Sequence, residues 1–531
     1  MPSDVPVDKL RLSLTLPLYP YVSVQLLGID LGTTGSTAAV LTPEGTVVAH
    51  ASHGYEPTVP RPSWNEQDPE VWWTATVQSI RQVLAHDAVE ADAIAGMGLT
   101  GQMHGLVLLD ADGAVLRPAI LWNDQRTGAQ CDAITERVGT DAVVDHTGNP
   151  ILPGFTAPKI EWVRTQEPDV YDQATGFLLP KDYLRYRLTG ARATEVSDAS
   201  GTSLFDVEQR RWSEAMCEAV RVPEAWRPRV TESAAVSARV HAAAAEATGL
   251  PEGTPVVGGA GDQAAQAVGT GVVEPDTAVV TLGTSGVVFA PTGRYQHDPE
   301  GRLHAFCHAA PDTWHLMGVM LSAAGSLRWY AGLFEDLMDA GTQDYERLLS
   351  EAETVPPGAE GLLFLPYLSG ERTPHADPNA RGVFFGLHHR HERAHLTRAV
   401  LEGVAFGLRE SLELMRAQNV TPTEVRVSGG GAQSALWRRI LATVLDTSLI
   451  HTTTPHGAAV GAALLAGVGS DVFADVPTAS QAAVQVKGRT TPTDDTARYD
   501  ALFERYQALY PALTDPFDAL ANTIAPHVEN S

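Results

Sequence analysis

The chain has 531 residues, 44% of them hydrophobic, and sets 64 acidic residues against 37 basic ones for a formal charge of −27. That length exceeds what one hydrophobic core supports and predicts two domains of roughly 200 to 250 residues each. The charge repels phosphodiester backbones and anionic lipid surfaces, which excludes nucleic acid and membranes as partners.

Residues 1–25 contain neither a basic start nor an apolar run long enough for an export signal, so they read as an N-terminal extension of a cytoplasmic protein. No stretch of ~20 apolar residues follows that would span a bilayer. Cys131, Cys217 and Cys307 stand far apart, which fits a reducing compartment better than a disulfide framework or a zinc site. The fold proper starts near Leu26, where 26–33, 36–42 and 46–53 read as a β-meander with a hairpin turn at Pro43–Gly45. In "DPEVWW", Asp68 is a helix N-cap and Pro69 the first helical residue, opening a helix to about Leu84 that turns Trp72 and Trp73 to the core. Ala93 to Gly101 reads as the next buried strand and ends in the loop "TGQMHG".

The second half repeats this plan. Segments 278–284 and 286–292 form a hairpin, 313–321 a further strand and 322–334 a helix. Leu396, Val400, Val404, Leu408, Leu412 and Met415 recur at a spacing near four, giving a long amphipathic helix over 395–418. A short strand at 425–428, the turn "GGGAQS", a helix over 435–446 and a last helix over 497–513 complete the chain. Strands alternating with helices throughout make the class α/β.

"LGTTG" near the start and "LGTSG" about half the chain later both join two strands, so the repeat belongs to the architecture. Glycines flanking Thr33–Thr34, or Thr284–Ser285, let backbone N–H groups converge on one concavity with hydroxyls beside them, a nest that binds phosphate without lysine. That matters here, because Lys9, Lys159, Lys181 and Lys487 are the only lysines. Two nests facing across a cleft would clamp a polyphosphate. Asp30 precedes only the first nest, and a carboxylate beside phosphates calls for Mg²⁺ between them. Its counterpart in the second copy is Thr281.

In "VVGGAGDQAAQAVGTG", glycines permit close approach of a ligand to Asp262, which lies where the two halves meet and suits a general base taking a hydroxyl proton during phosphoryl transfer. The triplet Gly429–Gly431 leaves a bare surface between strand and helix on which adenosine can lie. Gln102, His104, Asn123, Asp124 and Arg126 offer donors and acceptors for a polyhydroxylated substrate, with Trp64 or Trp122 as its apolar wall. The run "HHRHERAH", lacking a cysteine partner, reads as a solvated turn and helix start rather than a metal site.

Taken in order, "GIDLGTTG", "WNEQDPEVWW", "AGMGLTGQMHG", "RPAILWNDQR", "PGFTAPKIEWV", "LLPKDYLRYRLTG", "VVTLGTSGVVFA", "PYLSGERTPHADPNARGVFFGL" and "VSGGGAQS" resemble the motifs of the FGGY-family carbohydrate kinases, from about Leu26 to the end of the chain. The resemblance implies an actin-like ATPase fold: two ribonuclease H-like domains with a cleft between them. It divides the chain into the extension 1–25, a first domain 26–270 on the sugar and Mg-phosphate side, a second domain 271–480 on the adenosine side, and a linker and helix 481–531. It implies phosphorylation of a ketose, D-xylulose, to its 5-phosphate by ATP and Mg²⁺. Asp262 would accept the sugar proton; Met103, His104 and Gln263 would line the sugar; Asp30 would organise the metal; Thr33, Thr34 and Thr284 would meet the phosphates; Gly430, Gly431 and Ser434 would meet the adenosine. Gln263 stands where sugar kinases of the family often carry Asn, as in similar glycerol kinases, and this leaves the choice of sugar open. Ribulose, glycerol or another polyol is the sibling alternative, and an actin-like ATPase of chaperone or filament type, which needs no base at Asp262, is the alternative from another class. A homodimer also stands open.

Overall fold

Alternation along QLLGIDL puts Leu27, Ile29 and Leu31 on one face of strand β1 (Gln25–Leu31) and Leu26, Gly28 and Asp30 on the other. β1 pairs antiparallel with β2 (Gly35–Leu41), and β2 with β3 (Val47–Gly54), as the meander pattern predicts. Helix α1 (Pro69–Leu84) is capped by Asp68, which accepts from the Glu70 N–H, and buries Trp72, Ile80 and Val83. On its other side β1 runs parallel to β4 (Ile94–Gly101). Strands β5 (Val236–Arg239) and β6 (Pro255–Val257) extend the sheet in the order β5-β6-β4-β1-β2-β3, and the short β7 (Ala260–Gly261) pairs with the end of β4 before leading into α2 (Asp262–Thr270). This computed structural model describes residues 24–334, 342–452 and 456–528. The expected extension therefore lies outside the described residues up to residue 23, and Gln25 already belongs to β1.

The second half lays down the same order again. β8 (Thr277–Leu282) pairs antiparallel with β9 (Gly286–Thr292); after the edge strand β10 (His304–Cys307), β11 (Trp314–Met320) continues the meander. Helices α3 (Ala324–Gly332) and α4 (Arg393–Ala417) follow. Then come β12 (Glu424–Ser428), parallel to β8, helix α5 (Ala435–Val444), β13 (Leu449–Thr452), parallel to β12, and helix α6 (Gly457–Gly469). With β14 (Val486–Thr490) at the edge, the order is β10-β11-β9-β8-β12-β13-β14, so β11-β9-β8-β12-β13 repeats β3-β2-β1-β4-β6 strand for strand. The closing helix α7 (Thr496–Val528) runs past its expected end near Leu513. Pro511 and Pro516 each remove a helical hydrogen bond, but burial of Tyr506, Leu509 and Phe517 in the second core offsets that loss.

Glycines fix how the halves meet. A Cβ on Gly28 would stand 1.9 Å from Ala459 O, and one on Gly98 would stand 1.9 Å from Ala462 O. Helix α6, made from the second half, thus lies backbone to backbone on β1 and β4 of the first sheet. Toward α2 the same closeness recurs: a Cβ on Gly461 would meet Ala265 O at 1.9 Å, and one on Gly269 would meet Gly457 O at 1.9 Å. Small residues four apart on each helix, Gly457 and Gly461 against Ala265 and Gly269, form the facing stripes. Ala267 of α2 in turn joins the apolar cluster of Val279, Val287 and Phe289 in the second sheet.

Gly98→Ala should therefore lower stability by about 1–3 kcal/mol or more, seen as a melting temperature several degrees below that of the unaltered chain. Gly128→Ala is the control, since a Cβ there has nothing within 4 Å, and it should stay within about 0.5 kcal/mol. Equal melting temperatures for the two variants would rule out the close helix-on-sheet contact.

Candidate active site

Because side chains alternate along β1, Asp30 emerges on the face that Gly28 clears for α6, at the strand's end. Asp262 is the first residue of α2, with Gly261 as the cap. Both carboxyls are half-buried. Loss of hydration raises Asp30, and the field of Asp262 adds to it, carrying Asp30 to about 7. Loss of hydration lifts Asp262 to about 6, against the pull of the Gln263 N–H and side-chain amide. Among the described residues no lysine or arginine forms an ion pair with either carboxyl.

The first Gly-Thr-Thr-Gly turn is closed by the Gly32 N–H donating to Gly35 O at 2.9 Å. Thr33 is fixed from three sides: Gln67 Nε2 donates to its carbonyl (2.7 Å), Trp122 Nε1 donates to its Oγ1 (3.0 Å), and that hydroxyl donates to Gln102 Oε1 (3.3 Å). Thr34 is exposed. In the second turn the Thr284 carbonyl accepts from the N–H groups of Ala323 and Gly325 at the start of α3, and Arg328 Nη2 donates to Thr284 Oγ1 at 2.6 Å. Thr281 pairs with Ser428 as Asp30 pairs with Thr100, but its hydroxyl bonds the Ser428 hydroxyl at 3.0 Å.

A cavity of about 530 Å³ brings Thr284 together with Gly430, Gly431 and Ser434, walled by Leu327, Arg328 and Trp437. The glycines of the triplet are not equivalent. A Cβ on Gly430 would meet nothing within 4 Å, whereas one on Gly431 would press on Leu282 Cβ at 2.9 Å and Gly429 needs a φ of +87°. The bare surface is therefore Gly430, and its neighbours are glycine for the sake of the turn and its packing. Ser434 also caps α5, accepting from the Trp437 N–H at 3.2 Å.

On the first-domain side, Met103 is buried against Gly261, where a Cβ would stand 2.8 Å from its Sδ. His104 has a φ of 68°, and its carbonyl accepts from Lys159 Nζ at 2.8 Å and Thr156 Oγ1 at 3.1 Å. Its ring stacks on Phe155 with centroids 4.4 Å apart, and Nδ1 lies 2.6 Å from Gly201 O. Burial pushes His104 down to about 3, with the charges of Lys159 and Arg372 acting in the same direction. The imidazole is thus neutral; since a carbonyl can only accept, Nδ1 carries the hydrogen and Nε2 presents a lone pair.

Lys159 was legible only as one lysine among very few. Burial pushes it down to about 7, against the pull of Asp124. A second support escaped sequence reasoning altogether: Lys181 lies 2.8 Å from Asp182, 3.0 Å from Asp198 and 3.5 Å from Glu195, all fully buried. Glu195 accepts from Ser197 Oγ at 2.9 Å, and that Oγ accepts from the Gly261 N–H at 3.0 Å, which fixes the backbone immediately before Asp262.

Two of the residues read as sugar contacts, Asp124 and Arg126, are paired with each other. Arg126 reaches Asp124 and Glu66, each at 2.7 Å, and lies over Trp64 and Trp162 at 3.7 and 4.8 Å. Asp124 and Arg126 neutralise each other and, with Trp64 beneath the guanidinium, brace the loop, while Trp122 holds Thr33. The Asn123 Oδ1 is left without a partner among the described residues. The His388–His395 run is a turn and the start of α4, where Glu392 and His395 form a capping box. Among the described residues no group of three or more His, Cys, Asp or Glu is arranged to hold a metal, and no helix is long and apolar enough to cross a membrane.

Comparison with known proteins gives a consistent result. Residues 25–269 match the N-terminal domain, and residues 278–470 the C-terminal domain, of the FGGY family of carbohydrate kinases. The xylulose kinase of Escherichia coli strain K12 is 44% identical over 446 residues, 84% of this chain and 90% of that protein. The crystal structure of xylulose kinase from Rhodospirillum rubrum matches with a TM-score of 0.87 at 32% identity, covering 93% of this chain and 100% of that one. The crystal structure of gluconate kinase from Lactobacillus acidophilus matches with a TM-score of 0.88 at 25% identity, covering 93% and 99%.

Folded-state values of about 7 for Asp30 and about 6 for Asp262 lie above the roughly 3.9 of an unfolded aspartate, so both groups hold protons more tightly in the native state. Their contribution to stability falls as pH rises from about 4, and the loss is complete above about 7. Asp30→Asn and Asp262→Asn should each raise the melting temperature of the ligand-free protein at pH 8 and lose that gain at pH 4. Scanning calorimetry at the two pH values checks this, and a gain that persists at pH 4 contradicts it.

Proposed function

The chain belongs to the FGGY family of carbohydrate kinases, with the family's actin-like ATPase fold, and from that premise we propose that it transfers the γ-phosphoryl group of ATP to the terminal hydroxyl of D-xylulose, giving D-xylulose 5-phosphate in the cytosol. The observation that carries this reading is the meeting of Asp262, raised to about 6, with the Met103–Gly261 contact and the neutral His104. An Asp of that basicity is ionised at neutral pH yet takes a hydroxyl proton more readily than an ordinary aspartate. His104 Nε2 accepts from a sugar hydroxyl, and the Gln263 amide steadies the Asp262 carboxylate.

Thr33 and Thr34 grip the phosphates from the first domain and Thr284 from the second, while adenosine occupies the 530 Å³ cavity against Gly430, Gly431 and Ser434. Two half-buried carboxyls without a cationic partner among the described residues make a donor set that suits a hard divalent cation. Asp30 would hold Mg²⁺, directly or through water, and the bound ion supplies charge neutralisation to the phosphates. Approach of the two domains excludes water, so the sugar hydroxyl is the nucleophile within reach of the γ-phosphorus and hydrolysis is suppressed. Most of the rate then comes from positioning and charge neutralisation, because the transferring group is metaphosphate-like.

Asp262→Asn should lower kcat by about 10²- to 10⁴-fold while leaving the KM for the sugar within a few-fold. ADP release by the unaltered enzyme, measured with D-xylulose, D-ribulose, glycerol and D-gluconate, should show the highest kcat/KM for D-xylulose. ADP release at a comparable rate without any sugar would overturn the kinase assignment of the site.

A further inference from the structure

Arg372 lies in "SGERTPH", a stretch to which the mechanism above gives no role. The segment is stitched to the second sheet on both sides of it. Glu371 Oε1 accepts from the Leu321 N–H at 3.0 Å and from the Arg372 N–H at 2.8 Å. The Thr373 N–H donates to Val319 O, its Oγ1 accepts from the Val319 N–H (both 3.1 Å), and the same hydroxyl donates to Arg302 O at 2.9 Å. Arg302 precedes β10, and there a chain of rings crosses from the second half to the first: His304 lies 5.7 Å from Phe155, which stacks on His104 at 4.4 Å. The positive charge of Arg372 reaches both histidines, holding each below its ordinary basicity in addition to the effect of burial.

Every comparably enclosed arginine in this structure is engaged. Arg126 pairs with Asp124 and Glu66, Arg185 donates to Asp182, Ser237 and two backbone carbonyls, and Arg398 donates to Glu402 at 2.6 Å and to Tyr499 at 2.9 Å. The half-buried guanidinium of Arg372, by contrast, has no hydrogen bond, ion pair or ring contact among the described residues. The adjacent Glu371 attracts it but makes no ion pair with it: Oε1 is committed to two backbone N–H groups, and burial pushes the carboxyl up to about 8 in spite of the Arg372 charge, so at neutral pH it is largely uncharged. Partly removed from water and with no acceptor from the protein among the described residues, the guanidinium is free to donate to an oxygen-rich ligand in the cleft.

We propose that Arg372 is a substrate-binding residue: its guanidinium, held on the second domain, donates to oxygens of the acceptor sugar while His104 Nε2 receives a hydroxyl from the same sugar on the first domain. This deepens the kinase reading and rests on it. The sugar then bridges the two halves, and its binding favours their approach. The planar fork matters as well as the charge, because two neighbouring oxygens of an open-chain ketose match a bidentate donor better than a single ammonium does.

The test is a steady-state comparison of Arg372→Met and Arg372→Lys with the unaltered enzyme. A hydrogen bond from a charged donor predicts that Arg372→Met loses about 10- to 100-fold in kcat/KM for D-xylulose, mostly through KM. KM for ATP should stay within about twofold and the melting temperature should be equal or higher. Arg372→Lys, which keeps charge without the fork, should fall between. A sugar KM unchanged in Arg372→Met overturns the proposal, and so does a KM for ATP that rises in step with that for the sugar, which would put the guanidinium on the nucleotide. If the unaltered enzyme prefers another polyol of the panel, the xylulose reading alone falls. The same split measured with that polyol then supports or overturns the role of Arg372.

Discussion

Contact between backbones, without side chains between them, is what the rest of the molecule depends on. Helix α6 touches β1 and β4 through Gly28 and Gly98 and touches α2 through Gly461 and Gly269, and at each of these four positions an added Cβ would stand 1.9 Å from a carbonyl oxygen. Such closeness multiplies weak dispersion contacts over two helical turns. It also exchanges parts between the halves: the second half's helix covers the first sheet, and α2 of the first half contributes Ala267 to the cluster of the second. The first glycine of "GIDLGTTG" thus has a packing duty. It clears the face of β1 on which Asp30 must emerge.

The second constraint is electrostatic. In a chain of charge −27, leaving Asp30 and Asp262 partly buried without an ion pair among the described residues has a cost in stability. The raised values of about 7 and about 6 express it. Around them the protein places rigid supports rather than neutralising charges. The Lys181 cluster bonds through Ser197 to Gly261, and Lys159 with Thr156 holds the strained His104 carbonyl. The few lysines near the site are thus used to position backbone, and both carboxyls are left without an ion pair among the described residues.

Local order was legible in the sequence. The meander, the Asp68–Pro69 helix start, the duplicated turn and the strand–GGG–helix unit all follow from residue chemistry within a few positions, and the duplicated strand order follows from the duplicated turn. What depends on distant partners was not legible. Asp124 and Arg126 read as sugar ligands because their polar heads stand in a loop; that Asn65 bonds Asp124 and that Glu66 and Trp64 engage Arg126, some sixty residues away in sequence, could not be read there. The length of α7 through Pro511 and Pro516 depends on the core beneath it. The glycines of β4 read as an ordinary buried strand until α6 is laid on them. The lack of a partner for Arg372 is likewise a property of the assembled fold and leaves no trace in its neighbours along the chain.

Asp262 stands at the joint that this exchange creates. The residue before it is bonded into the first domain, through the pairing of β7 with β4 and through Ser197, while the body of the helix it begins packs between α6 and the second sheet. Any change in the angle between the sheets therefore acts on the backbone at Gly261–Asp262. In the kinase reading proposed above, the nucleotide would bias that angle from the Thr284 and Gly430 side, and the sugar from the His104 side with Arg372 opposite. A base on the rim of one domain would be equally placed whether the cleft is open or shut. If Asp262 is the base proposed above, its place at the crossing of two exchanged helices brings it to its working position when both halves are held together, which would couple proton removal to the presence of an acceptor other than water.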